Sequence, residues 1–101
     1  MTFEEDPEFT EKALRLIGDD GIFAIQMSLV GQPDAGDIIP GSGGCRKLRW
    51  AAKGRGKRGG ARVIYYWITD DHRILLLDFY AKNESENLSQ AQLKELKKKK
   101  P

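Results

Sequence analysis

The chain predicts an α+β fold: a small antiparallel sheet with two N-terminal helices packed on one face and a C-terminal helix. Three observations predict it. Apolar residues recur at helical spacing between residues 9 and 30 and again after residue 87. Residues 46–80 hold three runs of strand-forming residues separated by turn chemistry. The length of 101 residues allows one small core, so a single domain over residues 1–101 is expected.

In chain order, residues 2–4 suit a short edge strand. Phe9, Ala13, Leu16 and Ile17 fall on one side of a helix over residues 9–17, with Pro7 or Thr10 near its start. Asp19 and Asp20 suit the cap of a second helix, whose apolar surface comes from Ile22, Ile25, Met27, Leu29 and Val30. Gly31-Gln32-Pro33 ends it, because Gly tolerates the left-handed conformation and Pro cannot continue a helix. Residues 40–44, PGSGG, are loop.

Residues 46–51 alternate, placing Leu48 and Trp50 on one face and Lys47 and Arg49 on the other. Residues 53–60 hold four glycines and four cations and read as a flexible basic loop. Residues 62–69, RVIYYWIT, are rich in β-branched and aromatic side chains and read as a central strand. Asp70-Asp71-His72 is turn chemistry, and residues 73–80, RILLLDFY, form the third strand of a meander. Asn87 or Ser89 caps a last helix through Leu88, Leu93 and Leu96, which ends in a lysine run expected to fray. Helices on one face would bury Leu48, Trp50, Val63, Tyr65 and Trp67. The opposite face would then be left to Lys47, Arg49 and Arg62.

Charge is distributed unevenly. Between Cys45 and Arg62 stand eight Lys and Arg residues and no Asp or Glu, although the whole chain carries only +2. Residues 1–20 hold seven acids against Lys12 and Arg15. A near-neutral chain that gathers its positive charge in one place has an electrostatic site, whose natural target is a phosphate-bearing polymer. Arg46, Lys53, Arg55, Lys57 and Arg58 are therefore candidate RNA contacts. Tyr66, facing the cationic side, is a candidate for stacking a base.

Other classes are disfavoured. Cys45 is alone, which excludes an internal disulfide framework and fits a reducing compartment, and with His72 alone beside it no familiar zinc set exists. No apolar run reaches membrane-spanning length, and the acidic N-terminal stretch lacks the order of a signal peptide. A soluble cytoplasmic protein without metal or cofactor is expected.

The succession GSGGCRKLRW, GRGKRGGARVIYYW, a turn, and LLLDFYAKNESENLS resembles the RelE/HigB-like toxins of bacterial type II toxin–antitoxin modules. The resemblance covers about residues 37–90 well and the N-terminal third more loosely. It implies a RelE/ParE-like sheet with flanking helices and an endoribonuclease, or mRNA interferase, that cuts messenger RNA on the ribosome and so inhibits translation. It also implies partners: mRNA and ribosomal RNA in the ribosomal A site, and a cognate antitoxin of the helix-turn-helix, HigA-like kind. Carried over by position, the family's functional cations fall on Lys47, Arg49 and Arg62, with Lys82 a looser match. The chain departs from well-known members after Tyr80, where Asn83 stands in place of an arginine.

The chemistry needs no cofactor, because RNA carries its own nucleophile in the 2′-hydroxyl. A protein must help remove that proton, stabilise the phosphorane and protonate the departing 5′ oxygen. A histidine pair is absent. A lysine serves as base where neighbouring cations disfavour its charge, which points to Lys47 among Arg46, Arg49 and Arg62. Arg49 and Arg62 suit the clamping of phosphate oxygens. Lys82 and Tyr80 are candidates for protonating the leaving group. Two other functions remain open at this point: a ParE-type toxin that inhibits gyrase, against which the K-L-R strand with Arg62 argues, and a non-catalytic RNA- or ribosome-binding module.

Overall fold

The computed structural model describes residues 1–52, 56–81 and 88–101, with the side chains of residues 52 and 56–59 left aside. Its elements are β1 (Thr2–Glu5), α1 (Pro7–Gly31), β2 (Asp37–Ile38), β3 (Arg46–Ala52), β4 (Gly56–Ile68), β5 (Arg73–Ala81) and α2 (Gln90–Lys99). One five-stranded sheet runs in the order β1-β5-β4-β3-β2. The meander β3-β4-β5 is antiparallel as expected, but β1 lies parallel to β5, so the sheet is mixed.

The two expected N-terminal helices are one helical element, Pro7–Gly31, kinked at Gly18. Asp6 caps it by accepting from the Glu8 N–H at 3.0 Å, and Pro7 occupies the first turn, where its missing donor costs nothing. Gly18 adopts φ 70°, a conformation that side chains with a Cβ rarely take. The kink presses the two halves together: a methyl group at position 21 would lie 2.5 Å from Ile17 Cβ. No loop intervenes because both halves bury apolar side chains on the same sheet face. Phe9, Ala13, Ile22, Ile25 and Leu29 pack there with Val63, Tyr65, Ile74, Leu76 and Phe79. Phe9 meets Phe79 edge-on, with ring centroids 6.1 Å apart. Leu48, Trp50 and Trp67 border this core, half-buried.

The expectation of one greasy and one purely cationic face needs correction. A second apolar cluster joins Ile39, Cys45, Ile64, Leu75, Leu77 and Tyr80 to Leu96 of α2 on the other face. The run RILLLDFY feeds both clusters: Ile74, Leu76 and Phe79 face α1, while Leu75, Leu77 and Tyr80 face α2. Strict alternation would have paired Phe79 with the α2 side. A register shift opposite Ile64/Tyr65 inserts one residue into β5 and reverses the phase. Asp78, beyond the stretch of β5 that β1 covers, instead takes Lys12 of α1 at 3.1 Å.

Two further expectations change. Of the supposed basic loop, Gly56 to Gly60 belong to β4, while residues 53–55 lie outside the described residues. The lysine run does not simply fray. Lys99 is only 16% exposed and bridges Asp6 at 3.2 Å and Glu8 at 3.4 Å, tying the end of α2 to the start of α1. Ser89 is the cap of α2, in a reciprocal box with Gln92, whereas Asn87 lies outside the described residues. Among the described residues no helix is long and apolar enough to cross a membrane.

Candidate nucleic-acid interface

Lys47 and Arg49 lie two residues apart on β3 and so share a face. Arg49 is registered with Arg62 of β4, and Arg62 in turn with Tyr80 of β5. Residues directly opposite in an antiparallel pair project to the same side, so Arg49, Arg62 and Tyr80 form one row across three strands. The neighbouring row begins with Lys47 opposite Ile64. Three cations predicted from the sequence are thereby gathered on the face opposite α1. Arg49 is exposed, and Lys47 and Arg62 are half-buried.

Beneath them the face is apolar. Tyr80 is 4% exposed, and burial pushes its phenol above the ordinary range while the Arg62 guanidinium pulls the other way. Its hydroxyl finds no hydrogen-bond partner among the described residues. Tyr80 thus lies beside Arg62 at the end of the row, buried and with its phenol protonated. Cys45 is fully buried, as expected of a small core residue. Ser42, also buried, donates to the Ile39 carbonyl at 2.6 Å and accepts from the Cys45 N–H at 3.0 Å, which folds the glycine-rich segment tightly into the start of β3.

Not every predicted contact joins this face. Arg46 is registered with Tyr65 and projects to the α1 side, where its Nη1 donates to the Gly36 carbonyl at 2.8 Å. It braces the segment before β2 instead of adding to the cationic row. Gly36 also donates to the Tyr65 hydroxyl at 2.9 Å, and a methyl group at position 36 would meet the Tyr65 ring at 2.9 Å. Tyr66 does face the cationic side, half-buried, as expected. Lys53, Arg55 and Lys82 lie outside the described residues. Lys57 and Arg58 are on β4, and their side chains are not described.

One cation was missed from the sequence. The Lys100 ammonium sits 5.4 Å from the centre of the Tyr66 ring, on the same face as Lys47. The signal was present: Lys100 follows Leu93 by seven residues and Leu96 by four, so it continues the stripe by which α2 seats itself. Neither described cavity is lined by Lys47, Arg49 or Arg62. The larger, of about 420 Å³, is lined by Glu4, Glu5, Asp6, Arg73, Lys99 and Lys100 among others.

A family model described as the RelE toxin of the RelE/RelB toxin–antitoxin system matches residues 16–100. The chain belongs to the RelE toxin family. The solved structure of a double mutant of the Escherichia coli toxin RelE in the free state superposes with a TM-score of 0.59 at 18% identity. That match covers 84% of this chain and 86% of the other, and at such identity it speaks for the fold. RelE-family toxins are one half of toxin–antitoxin pairs, and the fold is the α+β arrangement that the sequence resemblance implied, with a mixed sheet. The family match takes in β3, β4, β5, α2 and Lys100, which together carry every described member of the cationic face.

Proposed function

We propose that the chain is a ribosome-dependent mRNA endonuclease, held inactive by a helix-turn-helix antitoxin. The observation that carries the reading is the gathering of Lys47, Arg49 and Arg62 on one accessible sheet face in a RelE-family toxin. Lys47 takes the proton of the RNA 2′-hydroxyl. The 2′ oxygen then bonds to the adjacent phosphorus and the bond from phosphorus to the 5′ oxygen breaks, leaving a 2′,3′-cyclic phosphate and a 5′-hydroxyl. Arg49 and Arg62, opposite each other, hold the two non-bridging oxygens where negative charge builds up. Lys82, which follows β5 in the sequence, returns a proton to the 5′ oxygen. Tyr80 is too deeply buried for that task and serves by keeping Arg62 in place. Tyr66 and Lys100 seat a neighbouring nucleotide by stacking and phosphate attraction.

Alignment of the 2′ oxygen with its phosphorus is assigned to the ribosome, which holds the mRNA. The test is to map mRNA 5′ ends minutes after inducing the chain in bacteria. New ends inside translated coding regions, lost on Arg49→Ala or Arg62→Ala, are the expected result. Intact transcripts with DNA-damage signalling would move the chain to the gyrase-inhibiting class instead.

A further inference from the structure

We infer that Asp78 and Lys12, neither of them in the cationic row, are positioning residues for the cleavage reaction: their ion pair holds the extra residue of β5 that brings Tyr80 into line with Arg62. The inference deepens the nuclease reading and rests on it for the reaction.

From Ile68 opposite Arg73 to Tyr65 opposite Leu76, β4 and β5 pair residue for residue. Continued at that count, Arg62 would stand opposite Phe79. It stands opposite Tyr80, because Ile64 is opposite Asp78 and Leu77 is the residue left over. A slip of one residue exchanges the two faces of everything that follows in the strand. Lys82, to which the leaving-group proton is assigned, comes two positions after Tyr80 in the chain, in step with Tyr80 and out of step with Phe79. One inserted residue therefore decides which side chains of β5 belong with the cations.

An apolar strand covered on both faces accepts either phase, so something polar must choose between them. Asp78 is the one charged residue between Arg73 and Lys82, and aspartate is poorly suited to strands. Its side chain is only 16% exposed. Two partners account for it: the carboxylate accepts from the Phe79 N–H at 2.8 Å and from the Lys12 ammonium at 3.1 Å. The first bond fixes the backbone just past the inserted residue. The second fastens that point to α1, whose Phe9 already meets Phe79 edge-on. β1 pairs with β5 only as far as Leu76, so the Asp78 pair takes over where that strand stops. The resulting phase leaves the buried Tyr80 hydroxyl without a partner among the described residues, a local penalty of the kind that functional sites carry.

The experiment compares the full-length wild type with Asp78→Ala, Asp78→Asn and Lys12→Met in two measurements. NMR of the free toxin reads the cross-strand Overhauser contact of Arg62, expected with Tyr80 in the wild type and with Phe79 in Asp78→Ala. Single-turnover cleavage of mRNA on ribosomes reads the rate, which Asp78→Ala is expected to lower by about 100-fold at saturation. The ribosome concentration giving half the maximal rate should stay the same. Asp78→Asn and Lys12→Met each keep an acceptor for the Phe79 N–H, so both should fall between, with a mixture of the two contacts. If Asp78→Ala does not fold, these two are read in its place. A variant that cleaves at the wild-type rate, or a slowed one that keeps only the Tyr80 contact, overturns the inference. So does a rise in the half-saturating concentration alone, which belongs to docking. Failure of the nuclease reading looks different, because the wild type then cleaves no mRNA. In that case a switch of contact in Asp78→Ala still supports the hold of Asp78 on the row, and an unchanged Tyr80 contact overturns it.

Discussion

Arg49 and Arg62 stand directly opposite one another on β3 and β4, two guanidinium groups in a position where sheets ordinarily pair opposite charges or apolar side chains. Like charges so placed work against the sheet by up to about 1 kcal/mol. A local rule broken in this way, with a row of conforming residues on either side, is what a functional site looks like in an otherwise consistent fold.

Arg62→Ala should therefore have opposite effects on activity and stability. Single-turnover cleavage on saturating ribosomes is expected to fall by about 3 kcal/mol, roughly a hundredfold, if Arg62 acts only on the transition state. The Tm should hold or rise slightly as the repulsion with Arg49 is relieved. Cleavage at the wild-type rate would remove Arg62 from the site.

Lys100→Ala should behave differently. Lys100 lies over Tyr66 at the margin of the face, so its loss is expected to weaken ribosome binding and lower the salt slope by about one. The rate at saturation should be unchanged. A fall in that rate would place Lys100 in the chemistry, not in docking.

Arg46→Ala is expected to cost stability, by about 1 kcal/mol, since its guanidinium braces the Gly36 carbonyl. Urea midpoints should move while RNA affinity measured on the folded variant stays within twofold (about 0.4 kcal/mol). A large loss of RNA affinity with no change in midpoint would restore Arg46 to the interface.

Stability should decline on the alkaline side. Burial raises the Cys45 thiol against the Ser42 hydrogen bond and the Lys100 charge. Burial likewise raises Tyr65 and Tyr80, against the Gly36 hydrogen bond and the Arg62 charge respectively. For Lys99 burial acts downward, but the Asp6 hydrogen bond and charge, with Glu8, outweigh it and the net direction is upward. In all four the folded state holds its proton more tightly than the unfolded chain. Their contribution is complete below the unfolded values, about 8.5 for a thiol and about 10 for a phenol or ammonium, and is lost as pH rises through the folded ones. Urea midpoints should fall from about pH 8.5 upward, with the earliest part absent in Cys45→Ala. Midpoints that rise over that range would contradict the assignment.

Much of the site was legible because β3 is short and strictly alternating. Period 2 placed Lys47 and Arg49 together, and the same count put Leu48 and Trp50 on the core side. Arg46 was misassigned for a related reason: a cluster counted along the chain ignores that adjacent strand residues face opposite ways, and Arg46 follows Tyr65 to the α1 side. The break in α1 was readable at Gly18, but a kink and a loop leave similar traces in sequence, and only shared burial of both halves on one sheet face made it a kink.

Local pattern alone placed the three strands of the meander, the cationic character of β3 and a last helix capped at residue 87 or 89, since each depends on neighbours within a few residues. The two faces of RILLLDFY were decided only in three dimensions. An unbroken apolar run has no phase of its own, and the extra residue opposite Ile64/Tyr65 sets Phe79 under α1 and Tyr80 beside Arg62. The clamp of Lys99 on Asp6 and the placing of Lys100 over Tyr66 belong to the same class. Both join residues from distant parts of the chain, and such contacts depend on how whole elements pack, which no short-range periodicity encodes.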